Sequence, residues 1–211
     1  MSFLSTVFLK RGDSGEKVVA ELCDAIEPVD IIDWATHWLP ARDQCLNILQ
    51  AANAPPEAYP QSAHWNWMDK TRSMQGLLAL QGLSIRCEGR TQGLMRIDLA
   101  SEQCQLESQR SQPMVYVDYI EIAPWNWIGP YFNPPRFRWA GQILLRAAVE
   151  ISLDQGFKGR IGLHSLPQAS SFYRRCGLTD CGPDPNYPRN LPYFEATPEQ
   201  AMAFLNQGGS K

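Results

Sequence analysis

No run of eighteen apolar residues occurs in the 211-residue chain, and its first ten residues lack a basic segment ahead of their short apolar stretch. Neither a membrane-spanning helix nor a secretory signal is expected, and the cytoplasm is the expected compartment. An excess of one charge is also missing: 19 Lys and Arg face 22 Asp and Glu, for a net charge of -3. A sequence-independent grip on phosphates needs a local basic patch, so nucleic acid is not an expected partner. The six cysteines stand far apart, at 23, 45, 87, 104, 176 and 181, without the paired spacing of a zinc site or the density of a disulfide scaffold. No metal is expected. The phosphate-loop pattern G-x-x-x-x-G-K-[ST] is absent, which argues against a nucleotide triphosphatase. Gly-Asp-Ser-Gly at 12–15 looks like a serine-protease nucleophile segment, but no histidine precedes it.

What is present is ordinary globular composition, 44% hydrophobic and 19% charged. A chain of this length buries roughly 70% of its unfolded surface, enough for one core without staples. Residues 1–60 read as a helical N-terminal segment packed on the same domain. Asp13 and Glu16 form a capping box ahead of Val18, Val19, Leu22, Cys23 and Ile26. Two more helical runs follow, Ile31 to Trp38, ended by Pro40, and about Arg42 to Ala52. Beyond a Pro-rich connection at 54–62, apolar alternation predicts three adjacent antiparallel strands at 77–80, 93–99 and 114–122. A helix is predicted from Ala140 to Gln155, stopped by Gly156. Then come a strand at 160–165, a short helix between Pro167 and Gly177, a strand near 193–195 and a helix opened by Thr197-Pro198. The last residues, 207–211, read as a flexible tail.

The step from strand 114–122 through a loop into a helix beginning at Ala140 and Gly141 makes an anion site: unpaired first-turn amides, the positive dipole end and no bulky side chain. Arg136 and Arg138 add charge. Here the sequence resembles the GNAT superfamily of N-acetyltransferases. Ile-Glu-Ile-Ala-Pro at 120–124 looks like that family's fourth strand. The run from Arg136 to Leu145 fits its R-x-x-G-x-G/A signature and apolar helix, with Trp139 in place of the first glycine and Phe137 where glycine is common. The run from Leu166 to Leu178 looks like its P-x-A-x-x-F-Y-x-x-x-G-F segment. The resemblance spans about residues 64–205, with 61–206 as the acetyltransferase core, and implies an α/β fold: a mixed central sheet flanked by helices.

The resemblance further implies acetyl-CoA as co-substrate, with direct transfer of its acetyl group to a primary amine of a small molecule or protein. The backbone of Phe137, Arg138, Trp139, Ala140, Gly141 and Gln142 would cradle the pyrophosphate, Arg136 and Arg138 standing at its rim. The backbone of Ile120 to Ile122 would align the pantetheine arm. Tyr173 would protonate the leaving thiolate, since a phenol with pKa near 10 keeps its proton at pH 7. The amine needs a base, for which Asp118 and Glu121 are the candidates, Asp118 slightly ahead. Strand alternation puts these two on opposite faces, so at most one enters the cleft. His164 is a further candidate base. Two aromatic clusters, one of Trp125, Asn126, Trp127, Tyr131 and Phe132, the other of His64, Trp65 and Trp67, are candidate acceptor walls. No cysteine falls on this strand, so an acetyl-cysteine intermediate is not indicated. Homodimerisation is common among such proteins. A non-catalytic acyl-CoA-binding or interaction module is the alternative, and a toxin-like enzyme acting on aminoacyl-tRNA is disfavoured by the acidic balance.

Overall fold

The computed structural model describes residues 5–207; the four N-terminal residues and the Gly-Gly-Ser-Lys end lie outside it. The first element is not a helix. Residues predicted to form one are strands β1 (Ser5–Arg11) and β2 (Lys17–Cys23), joined by Asp13, Ser14 and Gly15 as a turn. Ser14 N–H donates to Asp13 Oδ1, and Gly15 adopts φ +76°, which glycine does without steric cost. The physical reason lies in β2 itself: Ala20 and Leu22 are buried while Val19 and Glu21 are exposed, which is period two rather than 3.6.

Pro40 does not end a helix either. Helices α1 (Pro28–Asp33) and α2 (Leu39–Ala51) are joined by a π-helical turn at Trp34–Trp38, in which Leu39 N–H donates to Trp34 O. Widening the helix by one residue accommodates a proline that has no N–H to give. Helix α3 (Trp67–Arg72) follows the Pro-rich segment, its Asn66 cap accepting from Asp69 N–H.

The meander is β3 (Leu80–Cys87), β4 (Arg90–Asp98) and β5 (Val115–Ile122). β3 starts where the predicted strand ends; Leu77 and Leu78 lie in an exposed turn. A two-residue β6 (Phe137–Arg138) leads into α4 (Ala140–Asp154), closed by Gly156 at φ +76°. β7 (Ile161–His164), α5 (Ser170–Arg175), β8 (Thr179–Pro183), β9 (Pro192–Ala196) and α6 (Pro198–Asn206) complete the chain. β6 and β8 had no signal in the periodicity. Thr197 and Gln200 form the capping box that opens α6.

Among the described residues nine strands make one sheet, in the order β6-β1-β2-β3-β4-β5-β7-β9-β8. Every pairing is antiparallel except β5 with β7. On one face α4 and α6 bury a large apolar core that includes Leu9, Ile85, Met95, Val117, Leu144 and Phe194. On the other, Trp34, Trp38 and Trp67 from the N-terminal helices pack over Leu94 and Ala123. The segment before α4 is pinned to the hairpin turn, where Gly12 N–H donates to Arg136 O at 3.0 Å and a Cβ on Gly12 would stand 1.6 Å from the Pro135 carbonyl oxygen. Gly12→Ala is therefore expected to cost about 3 kcal/mol, the upper range for forcing atoms into a packed site, read as a fall in the midpoint of chemical unfolding; an unchanged midpoint would refute the close approach.

Candidate active site

β5 and β7 pair only at Val115 with Ile161 and Tyr116 with Gly162, and beyond that they part. Two cavities open where they separate. The larger, about 550 Å³, runs from Ile120, Ile122, Phe172 and Arg175 on the helix side to Pro60 and Ser62 on the other. The smaller, about 320 Å³, is lined by His64, Trp65, Asp118, Tyr119, Tyr173 and Tyr187. Ile120, Leu166 and Ala169 belong to both linings, so the cavities meet at Ile120, toward the C-terminal end of β5. Two sites placed back to back are what a reaction between two bound substrates needs.

Glu121 lines the larger cavity. It pairs across β4 with Leu94, which places it on the face of the N-terminal helices, and Trp67 Nε1–H donates to its Oε2 at 2.6 Å. Burial pushes its carboxyl up to about 7, against the opposing influence of Trp67, Ser62, Lys70 and Arg42. Lys70 is lowered to about 8 by burial and by Arg96, while Asp118 and Glu121 oppose that shift. Its ammonium sits 3.1 Å from the centre of the Tyr119 ring.

Asp118 is placed differently. A β-bulge makes it the extra residue of β5: Arg96 pairs with Tyr119 and Ile97 with Val117, so simple alternation does not hold across it. Its carboxylate accepts from Arg96 Nε at 2.7 Å and is closed in by the same guanidinium's Nη2. That ion pair engages the carboxylate favoured as base from the sequence. His164, the third candidate, is also engaged: Asp184 lies 3.0 Å from its Nε2, the Tyr116 hydroxyl 2.8 Å from Nδ1, and Tyr187 stacks on its ring.

Tyr173 is buried between Phe172 and Phe194 and lines the smaller cavity. Burial pushes its phenol well above the usual range, so it stays protonated. Its hydroxyl makes none of the side-chain hydrogen bonds among the described residues.

The expected phosphate cradle is only half in place. Phe137 N–H already donates to Asn126 Oδ1 at 2.8 Å, which removes that amide from the cradle. Arg136 is turned toward Glu88, 2.7 Å from its Oε2, and Arg138 lies in β6 opposite Lys10. The partners differ: Arg136 N–H donates to the Trp125 carbonyl and its own carbonyl accepts from Gly12 N–H, while β6 pairs with the edge of β1. Trp139 takes the left-handed conformation at φ 80°, where the family pattern has glycine, and caps α4 with no side-chain hydrogen bond. The first-turn positions Ala140, Gly141 and Gln142 remain at the uncapped N-terminus of a long helix. A Cβ on Gly141 would reach 3.4 Å from Phe172 and 3.9 Å from Ile122, both of which line the larger cavity. Arg175, which has no ion-pair partner among the described residues, lines the same cavity.

The aromatic walls divide. Trp127, Tyr131 and Phe132 line the larger cavity, and His64 and Trp65 the smaller. Trp125 and Asn126 instead donate to Gln92 Oε1, and Trp67 holds Glu121. Sequence reasoning passed over Gln168. Its side chain donates to the Glu57 and Tyr59 carbonyls at 2.7 Å and accepts from Gln61 N–H at 2.9 Å, tying the Pro-rich segment across the cleft to the start of α5. No residue pattern announces such a bond between segments a hundred positions apart. Among the described residues no cluster of side chains could hold a metal, and no helix is long and apolar enough to cross a membrane.

No protein-family model and no curated protein matches the chain. Solved structures do. Mycobacterium smegmatis RimJ in complex with CoA-disulfide is similar over 98% of this chain and 96% of its own, at 16% identity and a TM-score of 0.51. The PaiA N-acetyltransferase from Thermoplasma acidophilum in complex with coenzyme A is similar over 84% of this chain and 98% of its own, at 13% identity and a TM-score of 0.49. An acetyltransferase from Thermus thermophilus is similar over 92% of this chain and 98% of its own, at 10% identity and a TM-score of 0.48. At 16% identity, the likeness to RimJ shows the fold and no more.

Proposed function

Because the chain has the GNAT acetyltransferase fold, we propose that it transfers an acetyl group from acetyl-CoA to a primary amine in a ternary complex. The observation that carries this reading is the parting of β5 from β7 beyond Tyr116, which opens two cavities that share Ile120, the larger lined by Ile122 and Phe172 beside Gly141 of α4. Ala140, Gly141 and Gln142 hold the cofactor's phosphates with their first-turn amides, and Arg175 supplies charge from α5. Ile120 and Ile122 present backbone and apolar surface to its arm. The amine nitrogen attacks the acetyl carbonyl, the carbon–sulfur bond breaks, Glu121 takes the amine's proton and Tyr173 gives one to the thiolate.

Calorimetric titration with acetyl-CoA and with CoA tests the cofactor site. Binding is expected in the wild type and its loss in Gly141→Glu, which fills the gap beside Phe172 and sets a negative charge where phosphate belongs. Equal binding by that variant would remove the α4 N-terminus from the site.

One feature supports a second reading, a non-catalytic acyl-CoA-binding module: Trp139 and the engaged Phe137 amide shrink the cradle. Acceptor-dependent thiol release with a panel of amines separates the two, since only an enzyme gives it.

A further inference from the structure

Gln168 and Gln61 bind each other reciprocally. Gln168 N–H donates to Gln61 Oε1 at 3.2 Å, and Gln61 N–H donates back to Gln168 Oε1 at 2.9 Å, while Gln168 Nε2 donates to the Glu57 and Tyr59 carbonyls. Among the described residues, every hydrogen bond that 57–61 make beyond residues 55–63 goes to Gln168. Pro55, Pro56 and Pro60 stiffen this stretch, so few bonds suffice to hold it. Glu57, Ala58, Pro60 and Ser62 line the larger cavity together with Glu121 and with Gln168 itself. Ser62 also hydrogen-bonds the Glu121 side chain.

We propose that Gln168 is a positioning residue: it latches residues 57–61 over the larger cavity, which keeps water from Glu121 and holds Ser62 beside that carboxyl. The role rests on the transferase reading, in which Glu121 is the base. Burial is the largest influence on the Glu121 carboxyl and raises it, while Trp67, Ser62, Lys70 of α3 and Arg42 of α2 lower it. Glu57 and Arg175 are the other charged groups on the lining. An unlatched stretch admits water, and the carboxyl should then fall from about 7 toward the ordinary carboxylate range, since burial outweighs the lost Ser62 bond.

Gln168→Ala tests this in the free protein, without turnover. Hydrogen exchange reads the latch at the Gln61 amide, which should exchange about tenfold faster in the variant. Carbon-13 NMR of the Glu121 carboxyl reads the consequence, a titration midpoint lower by about one pH unit. Gln61→Ala keeps its backbone N–H and removes only the bond that its side chain accepts from Gln168 N–H. It should shift both readouts in the same direction by less, and it carries the test where Gln168→Ala does not fold. A tie that served stability alone would lower the unfolding midpoint and leave the carboxyl midpoint where it was. That result, or a Gln61 amide no faster to exchange, would overturn the proposal. Failure of the transferase reading shows elsewhere, as absent acetyl-CoA binding, while the exchange and the carboxyl midpoint still answer for the latch.

Discussion

Tyr173→Phe is expected to lower kcat by about 10²- to 10³-fold, the share a positioned proton donor usually contributes, while leaving the affinity for acetyl-CoA within a factor of about two. The substitution deletes one oxygen and keeps the ring that packs against Phe172 and Phe194. Its hydroxyl takes part in none of the side-chain hydrogen bonds among the described residues, so its loss leaves no partner there unpaired. A phenol pushed upward by burial is a donor that never runs out of protons near neutrality, and a thiolate leaving without one must be expelled as the charged species into an apolar cleft. Thiol release measured with saturating acetyl-CoA and amine reads kcat directly, and calorimetry reads the affinity. Unchanged turnover would strip Tyr173 of its role; lost affinity would make the hydroxyl a binding group.

The second half of the chain was legible because its signals are local. Thr197-Pro198 announces α6, and Gly156 ends α4 where a left-handed residue is needed. The N-terminal half misled for an equally local reason. Asp13 and Glu16 have the spacing of a helix cap, but Asp13 caps a hairpin turn instead, since β2 buries Ala20 and Leu22 against the sheet and a helix there would leave one edge of β3 unpaired. Tertiary pairing overrode propensity. Pro40 shows the opposite failure: the breaker is real, yet a π-turn absorbs it and keeps Trp34 and Trp38 both buried.

At the site, residue types that chemistry demands were readable, and their partners were not. The carboxylates of β5 stood out in the sequence, but the choice between them depends on Arg96 reaching Asp118 across a bulge and on Trp67 reaching Glu121 from 54 positions away. The signature around Arg136 named the right helix terminus and too many of its neighbours. Residues 136–138 fit the pattern in sequence, but their backbone is engaged by Trp125, by the Asn126 side chain, by Gly12 and by β1, partners that only the fold brings together.

Glu121→Gln is the variant that decides between the two acids. In the wild type kcat/KM should rise with pH through a midpoint of about 7, the value to which burial pushes Glu121, because only the ionised carboxylate takes the amine's proton. Below that midpoint the rate should fall about tenfold per pH unit. Glu121→Gln should lower kcat/KM at pH 8 by about 10²- to 10³-fold and erase that limb. Stability moves the other way: the folded protein holds the Glu121 proton more tightly than the unfolded chain, so this residue's contribution is greatest below pH 4.5 and is lost as pH rises toward 7. The variant should therefore be less sensitive to pH over that window in chemical unfolding, which ties the kinetic limb and the stability slope to one carboxyl. Asp118→Asn supplies the contrast. Its ion pair with Arg96 lies at the strand bulge, so the loss should appear in stability while the limb near pH 7 remains. A limb that survives Glu121→Gln but vanishes in Asp118→Asn would return the base to Asp118, and would mean that Arg96 releases it when the amine arrives.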